Sequence, residues 1–362
     1  MTTAVASPFR FFSLRVVRTQ RLGPSLARVT FGGTDLDSFA SGGRDQSVSL
    51  FLPHPGQEAP VVPVEEGDGW WRAWRGLPAD VRAVMRSYTV SEQRRYPDGS
   101  SEIDIDFVLH GQATGDPHAD PRRTGAVGQF GHRACTGHGT LAGAPAGPAA
   151  GTALGTLPHR AATRTSSCPT AAAHPRVTVR ADGRGAGAGG SASGPASRWA
   201  AGARPGDRVL VLGPAVRDNS AVRFRPPEGT DLVVLWADET ALPAAAAILR
   251  SLPAGLPVRA WCEVPTAADR RRLDTRADAR VTWLVRDEGA PGAAAALRAA
   301  RLPTATTPYA WVAGESSQVR AVRRHLVQER GYARDQVTFV GYWRRGRSEE
   351  QWRAEAEAAG GS

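Results

Sequence analysis

Apolar residues in the first part of the chain recur at the two-residue period of β-strands. In the segment Glu102–His110, the apolar residues Ile103, Ile105 and Phe107 alternate with acidic ones, so one face is expected to be buried. Other short apolar runs bounded by turn residues are Phe12–Thr19, Leu26–Phe31, Ser47–Pro53, Val84–Val90 and Asp207–Leu212. Together these segments predict a small, closed, antiparallel six-stranded β-barrel.

The pattern changes to alternating strands and helices after Asp231. Asp231–Ala237 is a nearly continuous apolar run, which is typical of a strand buried on both faces. Pro243–Leu252 has helical spacing, with its proline in the first turn. Further strands are predicted at Val258–Val264, Val281–Val285, Tyr309–Ala313 and Val337–Tyr342, separated by stretches of helical spacing and length that include Ser316–Arg330. This order predicts a doubly wound parallel sheet, so the fold class is a β-barrel plus α/β.

A long segment between the fifth and sixth barrel strands fits neither pattern. Gln112–Ser193 contains no Ile, Met, Trp, Tyr or Glu and is rich in Gly, Ala, Pro, Thr and Arg. Because so few apolar side chains offset little of the entropy lost on ordering, we predict a disordered insert. The predicted organisation is a barrel domain formed by residues 1–111 and 194–228, the insert at 112–193, an α/β domain at 229–347, and a C-terminal helix or tail at 348–362. The tail opens with Ser348-x-x-Gln351, a capping-box pattern.

Every strongly basic residue is an arginine, since the chain contains no lysine, and the formal net charge is +10. This composition excludes chemistry that needs a lysine amine, such as a Schiff base or a Walker A phosphate contact. The charge accompanies a general enrichment in Arg, Gly and Ala, so nucleic acid is not expected as a partner. The alternative is an insert that binds duplexes through its arginines, which would make binding sensitive to salt.

The three cysteines cannot form a disulfide framework, which indicates a reducing compartment. The N-terminal residues show no secretory pattern, and no apolar run approaches the ~18 residues of a membrane span. We therefore expect a cytoplasmic monomer with no membrane span. Within the insert, His132, Cys135 and His138 are closely spaced, with Cys168 and His174 further on. Zinc uses such ligands, but no apolar residues surround them here, so no metal site is expected.

Arg86, Ser87, Tyr88 and Thr89 lie on one predicted barrel strand and combine groups suited to a flavin nucleotide. Arginine can donate two parallel hydrogen bonds to a diphosphate, tyrosine can stack on a flat ring, and threonine can bond a ring edge. Strand alternation puts Arg86 and Tyr88 on one face and Thr89 on the other. The alternative is an exposed arginine beside a tyrosine that packs in the barrel, and these residues alone do not exclude it.

Several motifs in order make a family resemblance specific. They are VMRSYTV at 84–90, DIDFVLHG at 104–111, GPASRWA at 194–200, PGD at 205–207, GP at 213–214, ADETALPA at 237–244, AGE at 313–315 and GYWR at 341–344. Together they cover nearly all of the chain outside the insert and resemble the siderophore-interacting proteins, FAD-dependent ferric-siderophore reductases of ferredoxin-reductase-like architecture. The resemblance implies a flavin-binding barrel, a nicotinamide-binding α/β domain, NADPH or NADH as electron donor, and a ferric siderophore from which iron(II) is released.

The resemblance also implies roles for individual residues. FAD would be held by Arg86, Ser87, Tyr88, Thr89, His110, Gly111, Gly194, Pro195, Ala196 and Ser197. The nicotinamide nucleotide would meet Asp238, Thr240, Ala241, Gly314 and Glu315, and Trp343 would lie near the flavin. Arg344, Arg345 and Arg347 would attract an anionic ferric chelate, although a solvated basic cluster is an equal alternative. No catalytic acid–base pair is assigned, because the flavin carries the chemistry.

Two features depart from the family pattern. The residue after the YTV run is usually basic, whereas Ser91 stands here, so one diphosphate contact is missing or is replaced by Arg94 or Arg95. The HG and GPAS motifs nearly adjoin in relatives, whereas 82 residues separate them here. Loop-closure entropy grows only logarithmically, so Gly111 and Gly194 are still expected to meet at the flavin. The alternatives are a non-catalytic siderophore- or flavin-binding protein disabled by the insert, and a general flavin reductase or diaphorase.

Overall fold

The N-terminal strands close into a barrel because each turns an apolar face inward. The computed structural model describes residues 7–109 and 194–351. Within these ranges the barrel strands are β1 (Phe9–Gly23), β2 (Leu26–Gly32), β3 (Ser47–Leu52), β4 (Val84–Arg95), β5 (Ser101–Val108) and β6 (Arg208–Pro214), with helices α1 (Trp70–Gly76) and α2 (Pro195–Gly202) between them. The strand order is β1-β2-β5-β4-β3-β6, and β6 pairs back with β1 in antiparallel register. The predicted six-stranded antiparallel barrel is confirmed.

β5 shows how the sequence pattern produces this closure. Ile103, Ile105 and Phe107 are fully buried in the barrel core, as their alternation predicts. The acidic residues between them, Asp104 and Asp106, are buried as well, although they lie on the other face of the strand. The prediction of a half-buried strand was therefore right about the inner face and wrong about the exposure of the outer one.

The outer face of β5 is covered by arginines that neutralise its carboxylates. Arg94 donates to both oxygens of Asp104, each at 2.7 Å, and Thr30 Oγ1 donates to the same side chain at 2.7 Å. Arg28 bonds Asp106, with its Nε 2.7 Å from Oδ1. Buried carboxylates are tolerated only when they are paired and hydrogen-bonded in this way.

The chain between β3 and β4 forms α1, which the sequence interpretation did not predict. Its Trp70 and Trp74 meet the buried ring of Phe51 edge-on, at centroid distances of 5.8 and 6.2 Å, and Trp71 stacks on Trp74 at 5.1 Å. These large aromatic side chains give a seven-residue helix enough buried surface to stay ordered against the outside of the barrel.

The second half of the described chain forms a five-stranded parallel sheet. Its strands are β7 (Leu232–Ala237), β8 (Pro257–Val264), β9 (Asp278–Val285), β10 (Pro308–Glu315) and β11 (Val337–Trp343), and its helices are α3 (Leu242–Ser251), α4 (Ala293–Ala299) and α5 (Ser316–Arg324). The strand order is β11-β10-β7-β8-β9, so the chain reverses direction across the sheet beside β7. Every residue of β7 is buried, as expected for a central strand covered on both faces. The predicted doubly wound parallel sheet is confirmed.

One predicted helix is absent from the described residues. The connection from β8 to β9 contains only a 3-10 turn at Ala267–Asp269, followed by extended chain. This stretch has no apolar stripe that a helix would need to pack on the sheet. Its polar residues point elsewhere: Arg271 donates to Asp106 on the barrel at 3.2 Å. The prediction of helical spacing in every connection was therefore wrong here.

Buried carboxylates join the barrel to the sheet. Asp45, from the loop before β3, accepts the backbone N–H of Phe224 at 2.9 Å and the indole N–H of Trp311 on β10 at 3.0 Å. Asp269 accepts the backbone N–H of Ser25, in the β1–β2 hairpin, at 2.8 Å. We call these contacts the seam. They fix how the barrel lies against the sheet.

Several predictions fall on residues that the structure does not describe. These are the whole insert at 112–193 with its histidines and cysteines, His110, Gly111, and the tail from residue 352 onward. The start of the tail is described, and its capping box is confirmed: Ser348 N donates to Gln351 Oε1 at 3.0 Å, and Gln351 N donates to Ser348 Oγ at 3.2 Å. None of the helices in the described ranges is long and apolar enough to cross a membrane.

Candidate functional site

A cleft beside β4 brings together two segments that lie far apart in the sequence. Arg86, Ser87, Tyr88 and Thr89 line it together with residues 194–197, and its volume is about 270 Å³. The remaining lining residues are Asp106, Val108, Thr240, Pro243, Tyr342, Trp343, Arg344, Arg347, Ser348 and Glu349. The structure thus places both predicted flavin segments in one cavity between the barrel and the sheet, together with the predicted residues Thr240, Trp343, Arg344 and Arg347. The predicted residues Asp238, Ala241, Gly314, Glu315 and Arg345 do not line it.

The pairing of β4 explains why all four of its predicted residues reach the cleft. β3 pairs with β4 from Val84 to Thr89, whereas β5 pairs with β4 only from Val90 onward, beside a register shift. Between 86 and 89 the second backbone edge of β4 is therefore open to other partners. Side-chain alternation predicted Thr89 on the far face, but this strand edge presents backbone as well as side chains to the cleft.

Arg86 and Ser87 bind carboxylates of the C-terminal segment. Arg86 Nη1 donates to Glu350, and its Nε lies 3.8 Å from Glu349 Oε2. The backbone N–H and the hydroxyl of Ser87 both donate to Glu349 Oε1 at 3.2 Å. Burial alone would raise the pKa of Glu350, but the charge and hydrogen bond of Arg86 hold it below its ordinary value. This part of the cleft is therefore a cationic donor set: its N–H and O–H groups bind anionic oxygens.

The start of α2 adds the positive end of a helix dipole. Gly194 is the N-cap residue and Pro195 occupies the first turn, where its missing N–H costs nothing. The first turn of a helix presents backbone N–H groups and favours a bound anion. A Cβ placed on Gly194 would meet no atom within 4 Å, so space is open beside it. Trp199, one turn further on, stacks on Phe31 of the barrel core at a centroid distance of 6.2 Å.

Aromatic residues border the same cleft. The Tyr88 ring lies 4.5 Å from the ring of Phe107, and burial raises the pKa of Tyr88, so its phenol stays neutral. The hydroxyls of Thr89 and Tyr342 lie 3.4 Å apart, and burial also raises the pKa of Tyr342. With the indole of Trp343, these groups offer flat apolar surfaces and a hydroxyl pair to a ring system.

At the carboxyl edge of the sheet, Asp238 occupies the space that a glycine leaves. Gly314 has φ +144°, and a Cβ on it would lie 2.5 Å from Asp238 Oδ2. That oxygen accepts the N–H of Glu315 and the indole N–H of Trp343, both at 2.8 Å. Burial, and then the neighbouring Glu239, raise the pKa of Asp238 to about 6. The space beside Gly314, a residue that the nicotinamide nucleotide was predicted to meet, is filled here by a side chain of the protein itself.

The other predicted nicotinamide contacts are engaged in turns. Thr240 N donates to Asp238 Oδ1 at 3.0 Å, and the buried Ala241 begins the turn into α3. The Glu315 carboxylate caps α5 by accepting the N–H of Ser317 at 2.7 Å. The cofactor roles of these residues stay predictions.

A second cleft follows the sheet edge, with a volume of about 630 Å³. In it Glu239 and Arg286 form a two-point ion pair, with N–O distances of 2.6 and 2.7 Å, and Arg286 also reaches Glu263 Oε1 at 3.2 Å. The second oxygen of Glu263 is buried without a hydrogen-bond partner among the described residues. Burial raises the pKa of Glu263, while Arg286 opposes that rise.

The chain after β11 separates the two clefts. Trp343, Arg344 and Arg347 line both of them, and Arg345 lines only the second. The N–H of Arg345 donates to the Glu315 carboxylate at 3.3 Å. The predicted substrate arginines therefore lie at the boundary between the barrel side and the sheet edge.

Sequence interpretation missed several residues of the first cleft. They are Asp106, Val108, Pro243, Tyr342, Ser348 and Glu349. The two glutamates at 349 and 350 are the middle residues of the capping box, where acidic residues are common because they favour the start of a helix. That local explanation concealed their contact with Arg86, which is far away in sequence.

Two family models match the chain on either side of residues 150–229. The model of the siderophore-interacting FAD-binding domain matches residues 15–149, and the siderophore-interacting protein model matches residues 230–346. The chain belongs to the siderophore-interacting protein family. Residues 86–89 of this siderophore-interacting protein lie within the FAD-binding match, whereas 194–197 lie between the two matched ranges. The place of 194–197 beside the cleft therefore comes from the structure.

Two relatives match along most of the length of this siderophore-interacting protein, and a third matches a part of it. It is 25% identical over 345 residues to the ferric vibriobactin reductase ViuB of Vibrio cholerae, spanning 94% of this chain and 92% of that protein. The crystal structure of a siderophore utilization protein from T. fusca matches with a TM-score of 0.60 and 28% identity, over 94% of this chain and 95% of that one. The NADPH-dependent ferric-chelate reductase of Escherichia coli is 34% identical over 107 residues, which is 29% of this chain and 38% of that protein.

Proposed function

We propose that this protein is a flavin-dependent reductase of ferric siderophores and that its FAD binds in the cleft beside β4. The observation that carries the proposal is the meeting of residues 86–89 with residues 194–197 around one cavity. The cavity combines a cationic donor set with aromatic surfaces and opens at the carboxyl edge of a parallel sheet, where such folds bind nucleotides. The family model of the FAD-binding domain and the relatives named as ferric reductases support the same reaction.

The donors fit a diphosphate, since carboxylate oxygens already occupy them in this structure. Arg86 pairs with Glu350, and the Ser87 N–H donates to Glu349. Diphosphate oxygens carry the same charge sign and accept the same hydrogen bonds. Arg86, the Ser87 N–H and the first turn of α2 would therefore hold the diphosphate, with Glu349 and Glu350 displaced from it. Ser91 is buried and carries no charge, while Arg94 is bound to Asp104 and Arg95 to the Phe39 carbonyl, so neither arginine replaces the basic contact of the family pattern here.

The aromatic side of the cleft suits the flavin ring. Tyr88 would lie against its face, and the hydroxyl pair of Thr89 and Tyr342 would bond its polar edge. Bound there, FAD would supply a hydride acceptor for a reduced nicotinamide and a single-electron donor for ferric iron. The chain's own task is to bind, orient and exclude water, which is why no acid–base pair is needed.

In this proposal the nicotinamide nucleotide binds in the second cleft. It follows the turn after β7, the position at which parallel sheets receive dinucleotides, and Thr240 lines both clefts. Gly314 and Glu315 end the neighbouring strand β10. The substrate is an anionic ferric chelate, attracted by the guanidinium groups of Arg344, Arg345 and Arg347. Iron leaves as iron(II).

The proposal includes a cytoplasmic monomer. The described cysteine, Cys262, is buried and unpaired, in keeping with a reducing compartment. Size-exclusion chromatography with light scattering checks the oligomeric state.

The experiment is an anaerobic absorbance titration of the purified chain. Added FAD is expected to remain with the protein through gel filtration and give a yellow sample. NADH or NADPH is then expected to bleach it, and a ferric siderophore to restore the colour. A sample that binds FAD but is bleached by neither nucleotide would falsify the reductase. Faster reoxidation by quinones or free flavin than by any ferric chelate would instead indicate a general flavin reductase.

A further inference from the structure

The Asp238 carboxylate sits at the centre of a set of donors. Its Oδ1 accepts Thr240 N at 3.0 Å, Thr240 Oγ1 at 2.5 Å and Ala241 N at 3.3 Å. Its Oδ2 accepts the N–H of Glu315 and Trp343 Nε1, both at 2.8 Å. Since all five partners donate, only a group with two acceptor oxygens satisfies them. Asp238 is 3% exposed. Its hydrogen bonds join three separate elements: the turn after β7, the end of β10 and the end of β11.

The backbone around Trp343 is shaped for this contact. Gly314 leaves the space that Oδ2 fills. The pairing of β10 with β11 shifts register between Gly314 and Glu315, so that Glu315 lies opposite Trp343. Ser316 Oγ donates to the Trp343 carbonyl at 2.9 Å. Backbone and ring of Trp343 are thus held by different groups, and Asp238 holds the ring.

We propose that Asp238 is a positioning residue, whose carboxylate fixes the Trp343 indole at the boundary between the two clefts and so sets how the nicotinamide meets the flavin. This inference rests on the proposed function, because it assigns FAD to the first cleft and the nicotinamide nucleotide to the second. Asp238 acts through Trp343. Its loss therefore slows transfer of hydride from the nicotinamide and leaves reoxidation by a ferric chelate unchanged.

The chain offers a matched control for a purely structural role. Trp311 Nε1 donates to the buried carboxylate of Asp45 at 3.0 Å, on the strand next to β11 but within the seam. Trp311→Phe deletes an indole–carboxylate bond of the same kind away from both clefts. It is expected to lower the melting temperature without changing the rate of bleaching.

Protonation of Asp238 is a second way to weaken its hydrogen bond to the Trp343 indole. The charged or titratable groups around it are Glu239 on its own turn, Glu263 at the end of β8, Arg286 after β9, Glu315 at the end of β10, and Tyr342 and Arg345 from β11 and the chain after it. Burial and Glu239 raise the pKa of Asp238 to about 6, so the carboxylate is charged at pH 7.5 and takes up a proton as the pH falls through 6. A protonated oxygen no longer accepts all of its donors, and the indole is released.

The kinetic experiment uses the FAD-loaded chain in anaerobic stopped flow, with NADH and with NADPH. Asp238→Asn and Trp343→Phe are each expected to slow bleaching about tenfold, the order of one buried hydrogen bond. The double variant is expected to be no slower than the worse single one, because both changes remove the same contact. Reoxidation by ferric citrate is expected to stay at the wild-type rate in all of them. Bleaching of the wild type is expected to slow below pH 6, and bleaching of Trp343→Phe is not.

The second readout needs no FAD. In the ¹⁵N-tryptophan-labelled apoprotein, the Trp343 indole N–H resonance is identified by its absence from Trp343→Phe. It is expected to shift with a midpoint near pH 6 in the wild type and to be insensitive to pH in Asp238→Asn. If Asp238→Asn does not fold, the pH titration of the wild-type resonance and the bleaching kinetics of Trp343→Phe still test the positioning role.

The outcomes separate the two proposals. A wild type that is never bleached overturns the reductase together with this inference. A wild type that is bleached, with Asp238→Asn and Trp343→Phe equally fast, overturns the positioning role alone. The positioning role is also overturned if Trp311→Phe slows bleaching as much as Asp238→Asn does. It is overturned as well if the Trp343 indole resonance changes neither with pH nor in Asp238→Asn.

Discussion

Arg86 illustrates what single residues reveal before a structure is known. The sequence identifies it as a candidate because a guanidinium beside Tyr88 and Thr89 suits a flavin nucleotide. It does not reveal the partners of Arg86, since Glu349 and Glu350 lie more than 260 positions away. Side-chain partners at such separations depend on the whole fold, and periodicity carries no information about them.

Replacing Arg86 by Lys tests the diphosphate contact. A lysine keeps the charge but loses the fork of parallel donors, so FAD affinity is expected to fall about tenfold. Fluorescence titration of the apoprotein with FAD measures this change. Arg72→Lys, at an exposed position on α1, is the control and is expected to bind FAD like the wild type. If Arg86→Lys and Arg72→Lys bind FAD with equal affinity, Arg86 does not contact the diphosphate.

Asp104 makes a residue-scale prediction about stability. Burial would raise the pKa of Asp104, but hydrogen bonds from Arg94 and Thr30 and the charge of Arg28 hold it below its ordinary value. Asp104→Asn removes the carboxylate that Arg94 binds at two points and is expected to cost about 3 kcal/mol at pH 7.

The pH dependence of that loss has a definite sign. A depressed folded-state pKa stabilises the protein above the unfolded value of about 4 and ceases to do so as the pH falls through the folded value. The gap between wild type and Asp104→Asn is therefore expected to narrow in urea unfolding below about pH 4. The exposed Asp80→Asn serves as control, and a gap that widens in acid would contradict the assignment.

At the scale of elements, strands were predicted better than their connections. Alternation and apolar runs located all eleven strands of the described ranges, because burial on one or both faces leaves a regular pattern. A helix was wrongly predicted between β8 and β9. The connection is long enough for one, but its polar residues contact the barrel instead. The open edge of β4 at 86–89 was also beyond prediction, because it depends on where β5 stops pairing.

The turn at Ser348–Gln351 carries its own prediction. Its glutamates bind the donors assigned to the diphosphate, so they compete with FAD. Removing both charges with Glu349→Gln/Glu350→Gln is expected to tighten FAD binding about threefold to tenfold. The control Glu228→Gln/Glu288→Gln changes net charge equally at exposed sites. An equal gain in both double variants would show that only the overall field matters.

For the whole molecule, composition and order of elements sufficed to predict a barrel followed by a parallel sheet. They did not predict the seam, because Asp45 and Asp269 are isolated acidic residues in loops and nothing local marks them as buried. The seam decides where the first cleft lies, since it fixes the sheet edge against the open edge of β4.

Deleting residues 112–193 tests the organisation of the entire chain. Val108 and Gly194 line the same cleft, so a short glycine–serine linker is expected to keep the site, with FAD affinity within about threefold of the full-length value. Affinity of both forms is measured by the same fluorescence titration. A large gain on deletion would show that this segment disables the site, and a large loss would show that it belongs to it.

The seam has one more consequence. In enzymes whose two lobes close in every cycle, the distance between the reactants changes each time. Here the buried carboxylates of the seam fix the distance between barrel and sheet during folding. The path that electrons cross is then of constant length. Turnover is then controlled by what enters the gap and by the driving force of each acceptor, and removal of one seam contact, as in Trp311→Phe, is expected to cost stability before it changes the electron path.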